Sequence, residues 1–82
     1  MIIYVDTELG HGRSGVEARS PDLRLTSHGL DEQEALQSLQ RGILAWCHGL
    51  QSLGRLEKVI RHKQLKWEPN GGALTIELKK VQ

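Results

Sequence analysis

Gly10, Gly12 and Gly15 match G-x-G-x-x-G, the spacing that lets a backbone approach a nucleotide's pyrophosphate. That chemistry needs a helix directly after the last glycine, whose N-terminal amides hold the phosphates. The residues that follow, V-E-A-R-S-P-D-L, alternate and then meet Pro21. No helix can use these glycines, and they read as a hairpin. Asp6 and Glu8 share one face of the preceding stretch, with Glu17 on the next. Clustered carboxylates can hold Mg²⁺ for phosphoryl chemistry. No fourth carboxylate or base stands at a motif spacing, and Arg13, Arg19 and Arg24 are at hand to neutralise the three. A solvated, charged sheet face that discourages edge pairing is the expectation. His11, His28, His48 and His62 show no ligand spacing with one another or with Cys47. Ser14, Ser27 and Ser52 lack a nucleophile context. No catalytic residue, no metal site and no cofactor is therefore assigned, and the chain is read as not an enzyme.

The remaining candidates are for binding. Arg55, Lys58, Arg61 and His62 fall on one side of a helical pattern, with Lys63 and Lys66 close behind. Such a face can track phosphates or meet a protein partner, although Glu57 dilutes it. Trp67 is the one nearby aromatic that could stack a base. Leu44 falls on the polar side of an earlier helix beside Gln33, Gln37 and Gln40, which marks it for self-association.

That earlier helix, over Leu30 to Leu50, organises the chain. Ala35, Leu36, Leu39, Ile43, Trp46, Cys47 and Leu50 form its apolar stripe. It spans roughly 18 residues, about 27 Å. Cys47 on that stripe serves as a small apolar side chain. Asp31 and Glu34 have capping-box spacing, and the acidic run Asp31, Glu32, Glu34 suits a helix start. Gly49 is the expected stop. Gly42, mid-helix, could mark a close approach to a sheet.

Before the helix, residues 1–9 alternate as a strand, Val16 to Arg19 as a second, and Leu23 to Thr26 as a third, the last two separated by Ser20-Pro21-Asp22. After it, Leu53, Leu56, Val59 and Ile60 define a second helix. Lys66-Trp67-Glu68 reads as extended before Pro69, Asn70-Gly71-Gly72 as a hairpin turn, and Leu74, Ile76 and Leu78 as a final strand. The expected fold class is α+β: a three-stranded antiparallel meander, a long amphipathic helix, a second shorter helix and a final strand (β-β-β-α-α-β), one helix layer on one sheet. The expected core is Ile3, Val5, Val16, Ala18, Leu23, Leu25, Leu36, Leu39, Ile43, Trp46, Leu56, Ile60, Leu74, Ile76 and Leu78.

Eighty-two residues make a single domain, 1–82, of modest stability. No segment approaches the ~20 apolar residues of a membrane span, and no signal pattern opens the chain. A lone cysteine excludes an internal disulfide and fits a cytoplasmic location. Residues 1–40 carry three basic and seven acidic side chains, and residues 41–82 carry eight and three, which returns the formal net charge of +1. An acidic front and a basic back can complement each other in a self-pair.

R-S-P-D-L-R-L-T-S-H-G-L-D-E-Q-E-A-L, followed by a helix through Ile43-Leu44-Ala45-Trp46, resembles the HicB-like antitoxin domain. Pro21, Asp22, Ser27, Gly29, Asp31, Glu34, Ala35 and Leu36 carry the match. The resemblance implies a β-β-β-α-β, partial ribonuclease-H-like fold without the nuclease carboxylates, with which the order read here agrees if the second helix is an insertion before the last strand. It implies a partner: a small ribonuclease toxin whose active site the domain blocks. Many relatives add a C-terminal DNA-binding domain, and the expectation here is the solitary-domain form. The expected function is a non-enzymatic, antitoxin-like protein-binding module that also forms a homo-oligomer. The alternative is an RNA- or DNA-binding module using the basic face of the second helix. Membrane association is not expected.

Overall fold

The computed structural model describes residues 1–81 and has the expected α+β architecture. β1 (Ile2–Gly12), β2 (Gly15–Ser20) and β3 (Leu25–Gly29) form the meander; α1 (Glu32–Ser52) and α2 (Leu56–His62) follow; β4 (Lys66–Glu68) and β5 (Thr75–Lys80) complete a five-stranded sheet. All pairings are antiparallel except β1–β5.

β1 is longer than the sequence reading, because Gly10 and Gly12 continue the ladder with β2 and leave only Arg13-Ser14 as the turn. The glycines of the nucleotide-like spacing thus sit in a hairpin. β3 starts two residues later than expected. Residues 21–24 form a turn with Arg24 left-handed (φ 57), while Leu23 still drops into the core.

The expected Asn70-Gly71 hairpin is corrected. β4 and β5 do not pair with each other; both flank the start of β1, Ile3 lying opposite Trp67 on one edge and Ile76 on the other. Residues 69–74 therefore pass around the end of β1. Asn70 serves this crossing by accepting from the Met1 ammonium (2.6 Å) and from Gly72 N–H (3.0 Å).

Strand alternation fixes the two faces of the sheet. Ile3, Val5, Thr7, Val16, Ala18, Ser20 and Ile76 are buried on the side that α1 covers, together with Ala35, Leu39, Ile43 and Cys47 of the helix. Leu56 and Ile60 of α2 join this core. Leu65, outside the expected core, joins it because a left-handed Gln64 (φ 57) ends α2 and turns the chain inward. Leu25, Leu36, Trp46, Leu74 and Leu78 pack only half-buried around the rim.

α1 begins as expected: the Asp31 carboxylate accepts from Glu34 N–H (2.8 Å) and Glu34 reaches back to Leu30 N–H (3.2 Å). It does not stop at Gly49. The helix runs to Ser52, and Gly54 (φ 68) ends it, its N–H donating to Gln51 while Arg55 N–H donates to Leu50. Gly42 has open space around it, so it marks no close approach. The close approach is at Gly29, where a Cβ would stand 2.4 Å from Ala35 N; a Cβ on Gly15 would stand 2.3 Å from Gly29 O. These two glycines let the end of the meander lie directly against the first turn of α1.

Candidate protein-binding face

Among the described residues no helix covers the side of the sheet opposite α1. That side carries Ile2, Tyr4, Asp6 and Glu8 of β1, Glu17 and Arg19 of β2, Thr26 and His28 of β3, Lys66 and Glu68 of β4, and Thr75, Glu77 and Lys79 of β5. None of these residues is buried. The face has five carboxylates against three fixed cations.

Tyr4 stands at its centre. Its hydroxyl donates to the Glu68 carboxylate, and the Lys79 ammonium lies 5.0 Å from the ring centroid. The hydrogen bond to Glu68, with Glu68 and Glu77 nearby, holds the phenol above its ordinary pKa. Beside it, Tyr4, Asp6, Asp22, Gln64, Lys66 and Lys79 line a cleft of about 110 Å³. The grouping of Asp6, Glu8 and Glu17 on one face is as the alternation predicts. Their neutralisation is only partly so: Arg19 pairs with Glu8 (3.6 Å), but His28 rather than an arginine meets Glu17 (3.2 Å). Among the described residues no His, Cys, Asp and Glu group of three or more could hold a metal ion. Glu68, Glu77 and Lys79 were not legible as members of this face, since only the placement of β4 and β5 on the two edges of β1 brings them to Tyr4.

The other sequence candidates lie elsewhere. Arg55, Lys58, Arg61 and His62 are all exposed on α2, and none joins an ion pair among the described residues. Lys63 reaches back to the Asp22 carbonyl (3.4 Å). Trp67 is 44% exposed, on the helix side of β4 rather than on the open face. Leu44 does not stand free on a polar side, as the wheel implied. It is half-buried and packs against the core. The glutamine side of α1 turns toward β5, as the bond from Gln40 Nε2 to the Ile76 carbonyl (2.7 Å) records.

Comparison with family models, curated proteins and solved structures finds no match. Among the described residues no helix is long and apolar enough to cross a membrane.

Proposed function

We propose that this chain is a non-enzymatic, antitoxin-like module that binds and sequesters a small ribonuclease toxin, and that it self-associates. The observation that carries this reading is the uncovered sheet face with its excess of carboxylates around Tyr4. A ribonuclease active site is cationic because it must hold RNA phosphates. An inhibitor that occupies it needs a complementary acidic surface, which also speeds encounter. Tyr4 adds a large amphipathic contact of the type enriched at interface centres.

A second reading, an RNA- or DNA-binding module, is favoured by one observation: Arg55, Lys58, Arg61 and His62 are exposed and free of carboxylate partners among the described residues. One experiment separates the two. Tagged protein is used to capture partners from its native cell extract, with and without nuclease, in three forms: unaltered, Asp6→Lys plus Glu8→Lys, and Lys58→Glu plus Arg61→Glu. The antitoxin-like reading expects one small basic protein that survives nuclease, is lost with the sheet-face variant, and has a ribonuclease activity that this chain suppresses. Recovery of RNA that is lost with the α2 variant would overturn it in favour of the second reading.

A further inference from the structure

β5 pairs with β1 along one edge only. Thr75 N–H donates to Met1 and Val81 N–H to Thr7, so the odd-numbered residues of β5 point their backbone groups at β1. By strand alternation Ile76, Leu78 and Lys80 point theirs outward. Gln40 caps one of these outward carbonyls, that of Ile76. Alongside, Glu32, Gln33, Leu36, Gln37, Gln40 and Leu78 contribute to a groove of about 440 Å³ between α1 and this free edge. An edge six residues long that carries no further strand among the described residues is a template for one.

We propose that the occupant is β5 of a second copy of this chain, paired antiparallel about a twofold axis at Leu78. The charge pattern selects this register. With the axis at Leu78, Glu77 lies opposite the second copy's Lys79, and Lys79 opposite its Glu77, on the open face. Thr75 lies opposite the second copy's Val81, which is 48% exposed in the single chain. These are the closer, non-hydrogen-bonded positions, where side chains interact most strongly. Leu78 meets its own counterpart at a hydrogen-bonded position, and Ile76 and Lys80 supply the flanking pairs, the second copy's Lys80 N–H taking the place of Gln40 at the Ile76 carbonyl. On the helix side, Leu78 and Leu36, both half-buried, gain cover where the two grooves meet. Moving the axis by one residue sets Glu77 against Glu77 or Lys79 against Lys79, and like charges directly opposite are unfavourable. Moving it by two, onto Ile76 or Lys80, leaves both residues without an opposite charge. The result is a continuous ten-stranded sheet with an isologous interface.

This deepens the self-association in the proposed function, but its test uses the chain alone, so failure to dimerise and failure to capture a ribonuclease are separate results. Sedimentation equilibrium is run on the unaltered chain, on Glu77→Lys, on Lys79→Glu and on an equimolar mixture of the two variants, with circular dichroism to show that each is folded. Glu77→Lys alone sets lysine against lysine twice, and Lys79→Glu sets glutamate against glutamate twice. Each is expected to weaken dimerisation by about 30-fold. In the mixture every crossed pair is again opposite in charge, so the heterodimer is expected to recover most of the lost affinity. The proposal is overturned if the unaltered chain stays monomeric up to about 1 mM, where even weak pairing would register. It is equally overturned if the single variants dimerise as the unaltered chain does, or if the mixture shows no recovery. Should either variant fail to fold, Leu78→Lys, which sets two lysines at the axis, gives the same readout: a monomer supports the proposal and an unchanged dimer overturns it.

Discussion

Cys47 lies on the buried stripe of α1 with 1% of its surface exposed, and burial pushes its thiol from about 9 up to about 11. The folded state therefore holds this proton more tightly than the unfolded chain. The associated stability is fully present below pH 9 and is lost as pH rises through 11, at most about 2–3 kcal/mol. Urea midpoints measured between pH 8 and pH 11 should fall, and Cys47→Ala should flatten that fall. The same burial should make the thiol slow to alkylate until denaturant unfolds the chain. Ser20 gives an opposite kind of test. Its hydroxyl is buried, without a hydrogen-bond partner among the described protein atoms. Removing an unsatisfied buried hydroxyl relieves its desolvation, so Ser20→Ala should raise the urea midpoint by about 1 kcal/mol of stability with an unchanged slope. Alternation alone puts Ser20 on the core side with Val16 and Ala18. That no acceptor waits there is a fact of packing.

The join between the meander and α1 tests the element scale. A Cβ on Gly29 would meet the backbone of Ala35 and Glu34, which cannot move without shifting the first turn of the helix. Gly29→Ala should cost about 3 kcal/mol or more. Gly42→Ala, in open space on the same helix, should stabilise by about 1 kcal/mol. Thermal denaturation of both variants would therefore move in opposite directions. Helix existence and its start were legible because the Asp31 cap and the apolar stripe are local signals. Its end was not: Gly49 has the residue type of a stop, but the helix runs on to Ser52 and ends at Gly54, whose left-handed backbone lets residues 51 and 50 close their hydrogen bonds. Asn70-Gly71 failed as a hairpin signal for a related reason. A local turn preference cannot say which strand lies between the segments it joins.

For the whole molecule, the open sheet face carries more carboxylates than fixed cations, while α2 carries Arg55, Lys58 and Arg61 against Glu57. If the sheet face captures a cationic ribonuclease, raising salt from low ionic strength to about 1 M should slow association at least about tenfold while changing dissociation far less. Stopped-flow or surface-plasmon rates would show this. Capture through apolar contacts would leave the association rate nearly constant.

By itself the sequence determined the α+β class, the order of strands and helices, the N-terminal cap of α1 and most of the buried residues. These depend on neighbours in the chain: alternation with period two, recurrence near 3.6, and residues that favour caps and turns. The tertiary structure decided what depends on distant neighbours. It set β4 and β5 on opposite edges of β1, which brought Glu68, Glu77 and Lys79 to Tyr4. It turned the glutamine side of α1 toward β5, which half-buried Leu44 against the core. It left the outward edge of β5 without a further strand among the described residues. A strand carries two edges and two faces whatever its sequence, and only the assembled sheet determines which of them meet protein and which meet solvent.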